Sequence, residues 1–246
     1  MSEAQTSKTG YLLLEDGTLF YGISAGASTT KTGEICFNTA MTGYQETFSD
    51  PSYAGQILVM ASPHIGNYGI LHGEQESASP TLRGLICRNY SGTAPGDRAG
   101  CQPLNAWLQQ AEVPVLHNID TRKLVQKIRN QGSMNALLST DGLDLELAKQ
   151  MLHSSPSMHG QALGRMAGVS APKLYHNSEG KRVALIDFGF KDSMARILAE
   201  AGIEVQLFPY SPPLETLLAW HPDGFLLING PGDPDPLTEA IAPTRN

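Results

Sequence analysis

From Lys181 onward, apolar runs and amphipathic stretches take turns along the chain. "KRVALIDFG" is a short apolar run that reads as a strand. "DSMARILAEAG" then places Met194, Ile197, Leu198 and Ala201 at i, i+3, i+4 and i+7, which predicts a helix with Asp192 or Ser193 as N-cap and Gly202 as its stop. "IEVQLFPY" reads as a second strand, "SPPLETLLAWHP" as a second helix opened by Ser and Pro, and "DGFLLING" as a third strand. Three strands alternating with two helices predict a parallel sheet, because a right-handed crossover is nearly the only way to join them. The earlier part of the chain is mixed. "YLLLEDGTLFYG" carries a hairpin signal around Asp16-Gly17, and "QILVMAS" and "LRGLICR" read as buried strands. "QPLNAWLQQ" and "IDTRKLVQKIRNQG" read as helices, the second capped by Asp120 and closed by Gly132. This half is α+β, and pattern alone does not fix its topology.

Between the halves, "HSSPSMHGQALGRMAGVSAPKLYHNSEGK" is rich in Ser, Gly, Pro and His and has no sustained period. The expected division is a domain over 1–153, a linker over 154–180 and a second domain over 181–246. A length of 246 residues with 41% hydrophobic content supplies a core for two modest domains. The net charge of −7, with no Lys/Arg block longer than a pair, argues against nucleic acid as a partner. No C-x-x-C pair occurs, no apolar run reaches the ~20 residues of a membrane span, and "MSEAQTSKTG" lacks the features of a signal peptide. A cytoplasmic location without membrane association is the expectation.

The third strand runs into "NGPGDPDP". Ligands collect at the carboxyl ends of strands in open parallel sheets. Gly230 and Gly232 lack side chains, which leaves their N–H groups open to close approach, while Pro231 and Pro234 restrict the loop. Such a loop holds an oxyanion, or else it is a tight exit turn from a buried strand. It is not a P-loop, since no Lys-Ser or Lys-Thr follows the glycines. Four further strings precede it in order: "FNTAMTGYQETFSDPSY", "SPHIGNYG", "NIDTRKLVQKIR" and "DFGFK". Together the five strings resemble the small, glutamine-hydrolysing subunit of carbamoyl-phosphate synthase, from about Tyr11 to about Ile241.

That resemblance implies an α/β protein. A swivelling β/β/α-type N-terminal domain that docks on a large subunit would be followed by an incomplete class I glutamine amidotransferase domain with a flavodoxin-like parallel sheet. It implies glutamine as substrate and ammonia passed to the large subunit, where ATP and Mg²⁺ act; no cofactor is expected in this chain. Carbamoyl phosphate, the product, feeds pyrimidine and arginine synthesis. Carried over residue by residue, Ser52 of "DPSY" and Gly230 and Gly232 of "NGPGDP" would bind glutamine, with a loop N–H in the oxyanion hole.

The sequence also departs from the family. No G-x-C-x-G elbow and no "HPE"-type string is present, so no catalytic residue is assigned. Cys36, Cys87 and Cys101 read as structural. The seven histidines show no metal-ligand spacing, and Asp233 and Asp235 read as turn residues rather than Mg²⁺ ligands. His64 reads as a packing or hydrogen-bonding residue. Two other functions stay open: a non-catalytic docking module of the same subunit and, on the βαβαβ pattern alone, a flavodoxin-like nucleotide binder.

Overall fold

The structure, a computed structural model, describes residues 8–93, 100–238 and 240. The first seven residues, read for a leader, and the end of the resemblance near Ile241 lie outside the described residues. The chain divides into two compact units, each with its own core.

The first unit runs through β1 (Thr9–Leu14), β2 (Leu19–Gly26), β3 (Thr30–Asn38), α1 (Tyr44–Ser49), β4 (Gln56–Met60), β5 (His64–Ile65), β6 (Gly84–Ile86) and β7 (Asn89–Tyr90). It continues with α2 (Leu104–Gln110), β8 (Pro114–His117), α3 (Thr121–Gln131), β9 (Met134–Ser139) and α4 (Leu145–His153). Seven strands close into a barrel in the order β1-β2-β8-β6-β4-β3-β9. β3, β4, β6 and β8 run parallel to their neighbours within that run, and β1, β2 and β9 supply the antiparallel pairs. The apolar run Tyr11–Leu14 of β1 follows from burial on both faces. Leu12 and Leu14 meet Leu124 and Ile128 of α3 in one cluster, whereas Tyr11 and Leu13 meet Ala148 and Leu152 of α4 in another. The expected hairpin, strands and both helices form, and α3 has Asp120 and Gly132 as its caps. Strings that carried the resemblance lock together here: Tyr44 stacks on Tyr68 at 3.9 Å, its hydroxyl donates to the Gly69 carbonyl, and Gln45 bonds Leu71 through both ends of its amide.

The second unit gathers Asp50–Ala54 and Glu76–Ala78 with residues from Met158 onward. It contains α5 (Gly164–Ala167), β10 (Lys173–His176), β11 (Arg182–Asp187), α6 (Asp192–Glu200), β12 (Glu204–Pro209), α7 (Leu214–Ala219) and β13 (Gly224–Leu227). The sheet order is β10-β12-β11-β13, with β11 parallel to both β12 and β13 as the pattern predicts. Leu185, Val205 and Leu207 face Ala195 of α6, while Ala184, Ile186 and Phe208 face Leu217 of α7. Burial on both faces is why these strands read as continuous apolar runs.

Three details differ from the pattern reading. The stretch 154–180, expected as a linker, holds α5 and β10, and β10 pairs antiparallel with the edge of β12. Two short segments inside 1–153 belong to the second unit's cluster. The N-cap of α6 is Lys191, with no side-chain cap bond, in place of Asp192 or Ser193. Glu76 does the capping from a distance: its carbonyl accepts from Asp192 N–H at 3.0 Å and its carboxylate from Ser193 N–H at 2.9 Å. A carboxylate at a helix N-terminus also complements the dipole. Among the described residues, no helix is long and apolar enough to cross a membrane.

Candidate functional site

β13 ends in the glycine-proline loop, beside a cavity of about 320 Å³ whose walls include Phe188, Ile228, Asn229, Gly230, Pro231 and Leu237. The bare Cα atoms of the loop face protein. A Cβ on Gly230 would lie 2.3 Å from the Phe188 carbonyl oxygen, and one on Gly232 would lie 2.4 Å from that of Gln161. Gly232 also has φ +84°, in the left-handed region. Close packing of the loop on its neighbours therefore requires both glycines. Their N–H groups remain available: neither amide donates to an acceptor among the described residues.

Ser52 is brought to this loop from 177 residues away in sequence: Asn229 Nδ2 donates to its Oγ at 3.1 Å. Ser52 sits in a 3₁₀ turn, Pro51–Tyr53, that Asp50 caps by accepting from Ser52 N–H at 2.9 Å. The other oxygen of Asp50 contacts Lys191 Nζ at 2.5 Å. Below the loop, the buried Asp187 accepts from the N–H groups of Gly189, Phe190 and Val169 at 2.8–2.9 Å, fixing the β11–α6 turn on which Gly230 packs. Asp233 accepts from Asp235 N–H at 3.0 Å and Gly160 N–H at 2.9 Å, and these bonds hold its carboxyl below the usual carboxylate range. Asp187 and Asp233 thus have their oxygens engaged by loop amides. Asn229, Asp50, Lys191 and Asp187 were not singled out as site residues, although each lies in a string that carried the resemblance; Glu76 had no such signal.

The thiols lie in the first unit, and residues 158–246 contain no cysteine. Cys87 is fully buried, and burial pushes its thiol up to about 12. Burial, with the Glu34 carboxylate adding to it, does the same to Cys36, whose S–H points to Gln56 Oε1 at 3.3 Å. Cys101 donates to the Tyr68 carbonyl at 3.1 Å. Cys36 and Cys87 are thus held protonated, the opposite of the lowered pKa that activates a thiol. His64, expected to pack or hydrogen-bond, is exposed on β5.

Comparison with known proteins fits this arrangement. The second unit matches the glutamine amidotransferase class-I family over residues 184–246. The carbamoyl-phosphate synthase small chain, CPSase domain, matches residues 12–138, and this chain belongs to that family. The carbamoyl phosphate synthase small chain of Listeria monocytogenes is 39% identical over 235 residues, covering 95% of this chain and 63% of that one. That of Thermosynechococcus vestitus is 40% identical over 252 residues, covering 95% and 65%. The carbamoyl phosphate synthase pyrimidine-specific small chain of Halalkalibacterium halodurans is 39% identical over 236 residues, covering 96% and 64%. The chain thus spans less than two thirds of the length of these relatives. An aminopeptidase from Aneurinibacillus sp. strain AM-1 shares 11% identity at a TM-score of 0.32 over 81% of this chain and 48% of that one, too low to carry an argument.

Proposed function

We propose that this chain serves as a small chain of glutamine-dependent carbamoyl phosphate synthase, holding glutamine for hydrolysis so that ammonia reaches a large subunit for carbamoyl phosphate synthesis. In this reading the product enters pyrimidine and arginine synthesis in the cytoplasm, the two chains form a heterodimer, and ATP and Mg²⁺ act on the large subunit. One observation carries it: in a member of this family, the Ser52 hydroxyl lies 3.1 Å from Asn229, next to a loop whose Gly230 and Gly232 amides have no partner among the described residues. Glutamine would lie along this loop, with Ser52 holding its polar end. As a thiolate adds to the carboxamide carbon, negative charge moves onto the carbonyl oxygen, and a preorganised N–H stabilises it.

A second reading rests on the thiols. Cys36 and Cys87 are held protonated and the Cys101 thiol donates to the Tyr68 carbonyl, so in this reading residues 1–246 bind and orient glutamine without opening its amide bond. The domain over 1–153 is proposed to dock on the large subunit. Sedimentation velocity of the chain mixed with the Listeria monocytogenes large chain tests the shared part of both readings. Co-migration at micromolar concentrations is expected, and two independent boundaries would contradict it. Glutamate release from the mixture separates the readings: release abolished by a cysteine substitution favours the first, and none favours the second.

A further inference from the structure

A larger cavity, about 500 Å³, opens in the first unit at the end of β2, and none of its lining residues is one assigned to glutamine. Among the described residues, its polar lining comes from Lys8, Ser24, Ser28, Asn105, Gln109 and Thr140, none of them a carboxylate. Two side-chain acceptors in this wall are already engaged. Asn105 Oδ1 accepts from Gly26 N–H at 2.8 Å and from the Tyr90 hydroxyl at 3.2 Å; the Gly26 donor fixes which end of the amide is oxygen. Thr140 Oγ1 accepts from Thr29 N–H at 3.1 Å and has the Ala27 and Thr29 carbonyls within reach of its own proton, at 2.8 and 2.9 Å. Three other groups are not engaged. Among the described residues, the Lys8 ammonium, the Asn105 amide nitrogen and the Gln109 side chain have no partner. The Ser24 hydroxyl is buried against Gly10 with no hydrogen-bond partner among the described residues, an arrangement that native structures rarely leave unexplained.

A wall whose described residues supply a cation and unengaged amide donors, and no carboxylate, suits negatively charged oxygen. We propose that this cavity binds a small anion presenting carboxylate or phosphate oxygens, with Lys8 as counter-ion and Asn105 and Gln109 donating to it. The volume suits a small metabolite rather than a polymer. The proposal is independent of the glutamine reading, because it shares no residue with that site.

The test titrates the full chain with inorganic phosphate and, separately, succinate, followed by calorimetry. Saturable binding of at least one is expected, phosphate alone indicating a phosphate ester and succinate alone an organic acid. Lys8→Glu and Gln109→Glu alter exposed side chains and should each weaken it by roughly tenfold or more, the loss of a charge-assisted bond. Lys173→Glu, at another exposed lysine without a partner among the described residues, should leave it unchanged, and urea midpoints of all three variants should match the parent. No saturation by either anion, parent-like binding in Lys8→Glu, or equal weakening by Lys173→Glu would overturn the proposal.

Discussion

Replacing Gly230 by Ala tests whether the glycine loop owes its composition to packing. A methyl group there would sit 2.3 Å from the Phe188 carbonyl oxygen and 2.7 Å from Phe188 Cβ, and the obstacle is backbone held by the Asp187 bonds to Gly189 and Phe190. Loop and turn must separate by about 1 Å to reach the 3.4 Å of ordinary contact. Overpacking of this kind costs about 1–3 kcal/mol, which at a typical slope lowers a urea midpoint by on the order of 1 M. The same shift stretches the 3.1 Å bond between Asn229 and Ser52 beyond bonding distance. Gly224→Ala at the start of β13 is the control: its Cβ meets nothing within 4 Å, so it should be neutral or stabilising by up to ~1 kcal/mol. The chain has two tryptophans, Trp107 in the first unit and Trp220 in the second. In a Trp107→Phe background, fluorescence of Trp220 therefore reports urea unfolding of the second unit alone. A Gly230→Ala variant that unfolds with its parent while losing only glutamine affinity would refute the reasoning, because the bare Cα would then serve the ligand.

Two further outcomes follow from the same geometry. Cys36 and Cys87, with thiols pushed up to about 12, should resist iodoacetamide at pH 8 in the native protein and react after unfolding in urea; mass spectrometry of native-state digests showing either one alkylated would contradict their assignment as core residues. Asp233 has a folded pKa below its unfolded value, chiefly through the Asp235 and Gly160 N–H groups, so its contribution is present above the ordinary carboxylate pKa and is lost as pH falls through the lower folded value. Protection of the Gly160 amide relative to its intrinsic exchange rate should fall across that acid window, and Asp233→Asn should remove that change in protection; a Gly160 protection profile unaffected by the substitution would be the contrary result.

The order β11-α6-β12-α7-β13 was legible because a sheet covered on both faces leaves uninterrupted apolar runs between helices of clear period. The barrel was not. β3 mixes Thr30, Lys31, Thr32 and Glu34 with apolar residues, and its partners β4 and β9 are set by closure rather than by its own alternation. β8 has four residues, too few to show a period, and α4 stands on only two buried residues, Ala148 and Leu152. At the site, the glycines signalled a loop, but the sequence held no sign that Phe188 and Gln161 carbonyls occupy the places of their side chains. The link from Ser52 to Asn229 spans 177 residues and came into view only through the resemblance. Glu76 lies in the polar run "GEQESASP", where nothing marks it as the cap of a helix more than a hundred residues later.

The central claim is that glutamine lies against Ser52 and the Asn229–Gly232 loop, and a titration with L-glutamine followed by ¹H–¹⁵N spectra tests it most directly. The account predicts saturable shifts at the Gly230 and Gly232 amides and at the Asn229 side-chain amide, with D-glutamine inert. Ser52→Ala should weaken binding by roughly two- to tenfold, the worth of one neutral hydrogen bond. Shifts confined to residues away from the loop, or an affinity unchanged by Ser52→Ala, would contradict the account.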